Sequence, residues 1–191
     1  QYTDEGTLTL IPDPLQPDLD YAKRRAVSDD IFKTVEALGL LEAQVRLLRD
    51  SAQQKAGVVK DKKLKTNLQT LATELTQFHK TLTETIESKG ITGEQQLRAR
   101  LGKFYVLTEM SDEMPTRSVS EGFKVMEEEV AAARTKAEGY FARARSLEAP
   151  LKKGKQRALE ILSLAEFEKN YAKPAAPAKT GQWLQQFIGK R

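Results

Sequence analysis

One stretch, Met114 to Pro150, limits the folds open to this chain more than any other. Val119, Phe123, Met126, Val130, Ala133, Ala137, Tyr140, Ala144 and Leu147 recur there at alternating steps of four and three. That spacing draws a seam down one face of a long helix, with Glu127 to Glu129, Arg134, Lys136, Arg143 and Arg145 mostly elsewhere. Pro115 cannot lie inside a helix, so Thr116 or Ser118 caps its start, and Ser118 with Glu121 has the spacing of a capping box. Pro150 is expected to close it. A single apolar face cannot bury itself, so the rest of the chain must supply matching helices.

Three further seams answer that demand. Ile31, Val35, Leu38, Leu41 or Glu42, Val45, Leu48 and Ala52 predict a helix over about residues 18–56, with Gly39 as a possible bend and Gly57 as a stop. At 1.5 Å per residue it is longer than about 50 Å. Leu64, Leu68, Leu71, Leu75, Phe78, Leu82 and Ile86 keep strict four-three spacing and predict a second helix over about residues 61–89, ended by Gly90. Thr92 and Gln95 offer a capping box for a third over about residues 93–114. Its buried face takes Leu97, Leu101, Phe104 or Tyr105, Leu107 or Thr108, and Met110. Short connections between four one-sided helices predict an all-α fold, an antiparallel up-down-up-down four-helix bundle over residues 18–150.

The flanks read differently. Thr7 to Ile11 alternate before Pro12 and Pro14, a strand signal, so residues 1–17 read as a strand and linker, the end of a preceding β domain. There is no initiator Met or signal peptide, which suggests a fragment or a processed product. Residues 151–172 read as a short basic amphipathic helix: Lys152, Lys153, Lys155 and Arg157, then Leu159, Leu162 and Phe167 from Ala158 to Tyr171. Residues 173–191 combine an Ala/Pro linker with an apolar terminal segment, in which Trp183, Leu184, Phe187 and Ile188 share one helical face. Lys190 and Arg191 follow. These six residues are the candidate partner-binding site. Either the segment folds back onto its own bundle or it docks on a partner or a membrane surface.

Charge and composition narrow the function. Residues 151–191 hold nine Lys or Arg and three Glu, +6 out of a whole-chain +4, which leaves −2 for residues 1–150. The basic character thus belongs to the tail and gives no nucleic-acid-binding face on the bundle. No Cys is present, which removes disulfides, thiol nucleophiles and thiolate metal sites and suits an exported protein. No apolar run reaches the roughly 20 residues of a membrane span. The one histidine, His79, flanks seam residue Phe78 and has no second His to share a metal. Glu127, Glu128 and Glu129 are consecutive and point in three directions, unlike the paired Glu-x-x-His motifs of di-iron bundles. Asp112 and Glu113 cap or solvate the turn at Pro115. No phosphate loop, nucleophile elbow or zinc motif occurs. The reading is therefore non-enzymatic, with no cofactor and no metal.

The run GKFYVLTEMSDEMPTRSVSEGFKVMEEEVAAARTKAEGYF resembles the C-terminal helical region of bacterial exported sortilin-like proteins with BNR-repeat β-propellers. In that family an L-Y-x-x-x-(4–6)-D-x-x-P-T turn joins two long helices; Phe104, Tyr105, Asp112, Pro115 and Thr116 take those places here. LTLIPDP, with Asp13 and Pro14, is similar to the last strand of the small β-sandwich that precedes the bundle there. Leu15 stands where the family has a basic residue, and the resemblance stops near residue 148. It implies export to the periplasm or beyond and a propeller upstream that would carry any glycosidase-like activity. Two functions follow as expectations. One is an accessory subunit of a larger envelope or membrane-protein complex, held by its helical surface and tail. The other is the C-terminal spacer of such a propeller protein. A coiled-coil-like cytoplasmic homo-oligomer is a third.

Overall fold

The seams fold as helices. In the computed structural model, which describes residues 20–83, 96–110 and 114–171, all regular structure is α-helical. The elements are α1 (Tyr21–Val58), α2 (Lys62–Thr83), α3 (Leu97–Met110), α4 (Arg117–Ser146), α5 (Glu148–Lys153) and α6 (Leu164–Tyr171). The expected strand, the end of the second helix with Ile86 and Gly90, and the Thr92–Gln95 box lie outside the described residues.

Local chemistry sets the ends. Asp20 caps α1 by accepting from the Lys23 amide at 3.0 Å, and that bond holds its carboxyl below the usual range. Asp61 caps α2 by accepting from the Leu64 amide at 2.8 Å. Of the two residues offered for the start of α4, Thr116 does the work, accepting from the Val119 amide. The Ser118–Glu121 box does not form; Glu121 pairs with Arg117 instead. α1 runs unbroken through Gly39 and one residue past Gly57.

The core is drawn mainly from the four seams. Ile31, Leu48, Leu68, Leu71, Leu75, Leu82 and Leu101 are fully buried, with Phe123, Met126, Val130, Ala137, Phe141 and Ala144 from α4. On α3, Phe104 and Tyr105 are both partly buried, and Thr108 rather than Leu107 turns inward. Met110, expected inside, is 82% exposed.

The path of the chain differs from the expected alternation. Glu42 of α1 meets Arg98 of α3 and Phe32 meets Tyr105, so α3 runs antiparallel to α1. α2 does the same, because Gly57 lies by Lys65, and Ala43 and Arg46 lie by His79 and Thr83. α2 and α3 therefore point the same way, one beyond the other, and Thr83 and Arg98 line one groove at the level of Glu42. α4 returns antiparallel to both, with Glu74 and Phe78 beside Arg143 and Tyr140, and Arg100 and Phe104 beside Glu129 and Gly122. Lengths explain the path. The 38 residues of α1 span about 57 Å, while the 22 of α2 and 14 of α3 span about 33 and 21 Å. Neither short helix can cover α1 alone; end to end they do.

The segment after α4 also departs from expectation. The helix breaks at Leu147, and Pro150 sits in the first turn of α5, where its missing N–H would have had no helical partner. α5 ends in a reversed turn with Lys155 at φ 56°, the Gln156 amide bonding back to the Leu151 carbonyl. Residues 156–163 are not helical. They form a strap along α1: the Ser51 hydroxyl accepts from the Glu160 amide, and Gln44 donates to the Leu162 carbonyl at 2.8 Å. Leu159 and Leu162 are buried beneath it. α6 then starts at a Ser163–Glu166 capping box, and Phe167 lies over Gly39.

Candidate interaction surfaces

Trp183, Leu184, Phe187, Ile188, Lys190 and Arg191, the partner-binding residues expected from the sequence, lie outside the described residues. Two other places within the described bundle gather side chains with something to do.

The first is the groove where α2 ends and α3 begins, about 390 Å³, lined by Gly39, Glu42, Arg46, His79, Thr83, Arg98 and Phe167. The Glu42 side chain is only 14% exposed. Burial pushes its carboxyl above the usual range, partly offset by Arg98 and Arg46. One oxygen accepts from Arg98 at 3.2 Å, and the other finds no partner among the described residues. Burial is also the main reason that His79 is lowered, with Arg49 and Arg46 adding to it. Its Nδ1 lies 3.3 Å from the Thr83 hydroxyl. Both groups are thus pushed towards neutrality by the same cause, being carried into a packing seam. Among the described residues no group of three or more His, Asp or Glu is placed to hold a metal.

The acidic run on α4 resolves as its spacing implies. Glu127 and Glu128 are exposed, and Glu129 forms a two-pronged pair with Arg100 that ties α4 to α3.

The second place is the outer side of α3. Val106, Leu107 and Met110 are 50%, 60% and 82% exposed, and Met114 follows them before α4. On α1, Phe32 is 47% exposed and its ring stands 6.2 Å from that of Tyr105. α3 is therefore apolar on both sides: Leu97, Leu101 and Phe104 face the bundle, and Val106, Leu107 and Met110 face away. Sequence reasoning placed Met110 in the core and passed over Val106. The signal was there, since α3 carries more apolar residues than one stripe can use.

No helix among the described residues is long and apolar enough to cross a membrane. Comparison with family models, with curated proteins and with solved structures gives no match.

Proposed function

We propose that this chain is a non-enzymatic interaction module, an accessory subunit of a larger envelope or membrane-protein assembly, docked through its helical surface and its C-terminal tail. The observation that carries this reading is the two-sided apolar character of α3. A helix with one wet face has no use for Val106, Leu107 and Met110 on that face, and such an exposed apolar cluster supports a surface that another molecule covers. A periplasmic or secreted location, and contact of Trp183 and Phe187 with the assembly, belong to the same proposal.

Native mass spectrometry of material isolated from its source tests it. The expected result is a complex heavier than the 21.4 kDa chain. Leu107→Lys with Met110→Lys, or Trp183→Ala with Phe187→Ala, is expected to release the chain while leaving its helicity intact. Surface changes of the first kind shift stability by only about 0.5 kcal/mol. A chain that runs as a free monomer before and after these substitutions sinks the docking role. A single polypeptide far heavier than 21.4 kDa would instead make this the helical appendage of a longer protein, as the sortilin-like resemblance implies.

A further inference from the structure

Two basic stretches far apart in the sequence meet at one end of the bundle. The α1–α2 connection and the first turn of α2 carry Lys60, Lys62, Lys63 and Lys65, and α5 with the turn after it carries Lys152, Lys153, Lys155 and Arg157. Both stretches line one cavity of about 580 Å³, which Val58, Lys60, Asp61, Pro150, Lys153 and Gln156 help to form. All eight basic side chains are exposed, and none pairs with another described residue. Residues 58–65 and 148–157 contain just two acids, Asp61, occupied in capping α2, and Glu148.

Folding does not ask for this arrangement. Lys152 and Lys153 suit the C-terminal end of α5, but Lys62, Lys63 and Lys65 stand at the N-terminal end of α2, where the helix dipole is positive and carboxylates are favoured. Three like charges held at the wrong end of a helix, with Lys60 just before it and four more cations on the second stretch, cost stability unless something anionic complements them. A polyanion that steers by charge alone fits them.

We propose that this basic end binds the anionic surface of a lipid bilayer. Seven of the eight cations are lysines, compact point charges suited to a fluid sheet of headgroups rather than to the planar, two-pronged recognition that arginine gives. No aromatic residue lies in either stretch, so nothing there stacks on a base, as nucleic-acid surfaces do. Val58, 59% exposed among the lysines, gives the end a small apolar foot for the headgroup layer.

Sedimentation of the full chain with vesicles decides it. Binding is expected to vesicles of phosphatidylcholine with phosphatidylserine, to be absent with phosphatidylcholine alone, and to weaken as salt is raised. Each lysine near such a surface contributes roughly five-fold in partitioning, so Lys60→Glu, Lys62→Glu, Lys63→Glu and Lys65→Glu together are expected to lower it at least about a hundred-fold. The same variant is expected to melt no earlier than the parent, because it places acids at the N-terminus of α2. Reversal at Lys124 and Arg134, exposed on α4, is expected to leave binding nearly unchanged. Equal binding to both vesicle types, or undiminished binding by the four-lysine variant, overturns the proposal. So does loss of binding on Trp183→Ala with Phe187→Ala alone, which assigns the contact to the tail. Tighter binding to short duplex DNA than to the vesicles at the same salt assigns the surface to nucleic acid instead.

Discussion

Glu42 and His79 give the bundle opposed responses to acid. Glu42 holds its proton more readily when folded than when unfolded, so the stability linked to it is fully present below its ordinary 4.5 and is lost as pH rises through the raised folded value. His79 works the other way. Its folded value lies below the ordinary 6.5, so its contribution is present above 6.5 and lost as pH falls through the folded value. Glu42→Gln is therefore expected to stabilise the protein at neutral pH, and urea midpoints for parent and variant should converge as pH falls towards 4.5. Midpoints that stay equal at both pH values would mean that Arg98 offsets the burial fully. From the sequence, Glu42 was visible only as an alternative to Leu41 on one seam. Its burial beside Arg98 depends on where α3 begins against α1, and helical periodicity carries no information about that register.

At the level of single elements, periodicity was a sound guide wherever a helix has one partnered side. α2 buries every seam residue expected of it within the described range, and α4 buries or half-buries its own, with Phe141 added. It misled for α3, whose apolar residues serve two sides, and for residues 158–163. There Leu159 and Leu162 read with Phe167 as one stripe, but the Ser163–Glu166 box starts the helix at Leu164. The S-x-x-E spacing of Ser163 and Glu166 is the sequence signal for that start. Glycines distinguish helix economy from packing. A Cβ on Gly102 or Gly139 would meet nothing within 4 Å, so Gly102→Ala and Gly139→Ala are each expected to add about 1 kcal/mol to unfolding free energy. At Gly122 the same atom would come within 2.8 Å of the Phe104 ring of α3. Gly122→Ala is thus expected to gain nothing or to lose stability, because the ring must move. If thermal unfolding shows all three variants rising alike, the Phe104 ring yields freely and Gly122 is not needed for packing.

For the molecule as a whole, the strap behaves as part of the core. Leu159 and Leu162 are buried to 6% and 8%, so Leu159→Ala or Leu162→Ala is expected to cost about 2–3 kcal/mol in one cooperative transition. A loss under about 0.5 kcal/mol would make the strap an appendage. The all-α character was readable from four seams. The chain path was not, because stripes record which residues are buried and leave open whether two helices lie side by side or end to end. One consequence follows from setting α2 and α3 in line along α1. The apolar cluster around Phe32 and the lysines around Val58 lie about 39 Å apart on the same helix. Charge fades over about 8 Å at physiological ionic strength, so neither end senses what happens at the other. Substitutions at the two ends are expected to add without coupling energy in urea unfolding, and on the proposed readings the long helix holds an assembly and a bilayer a fixed distance apart.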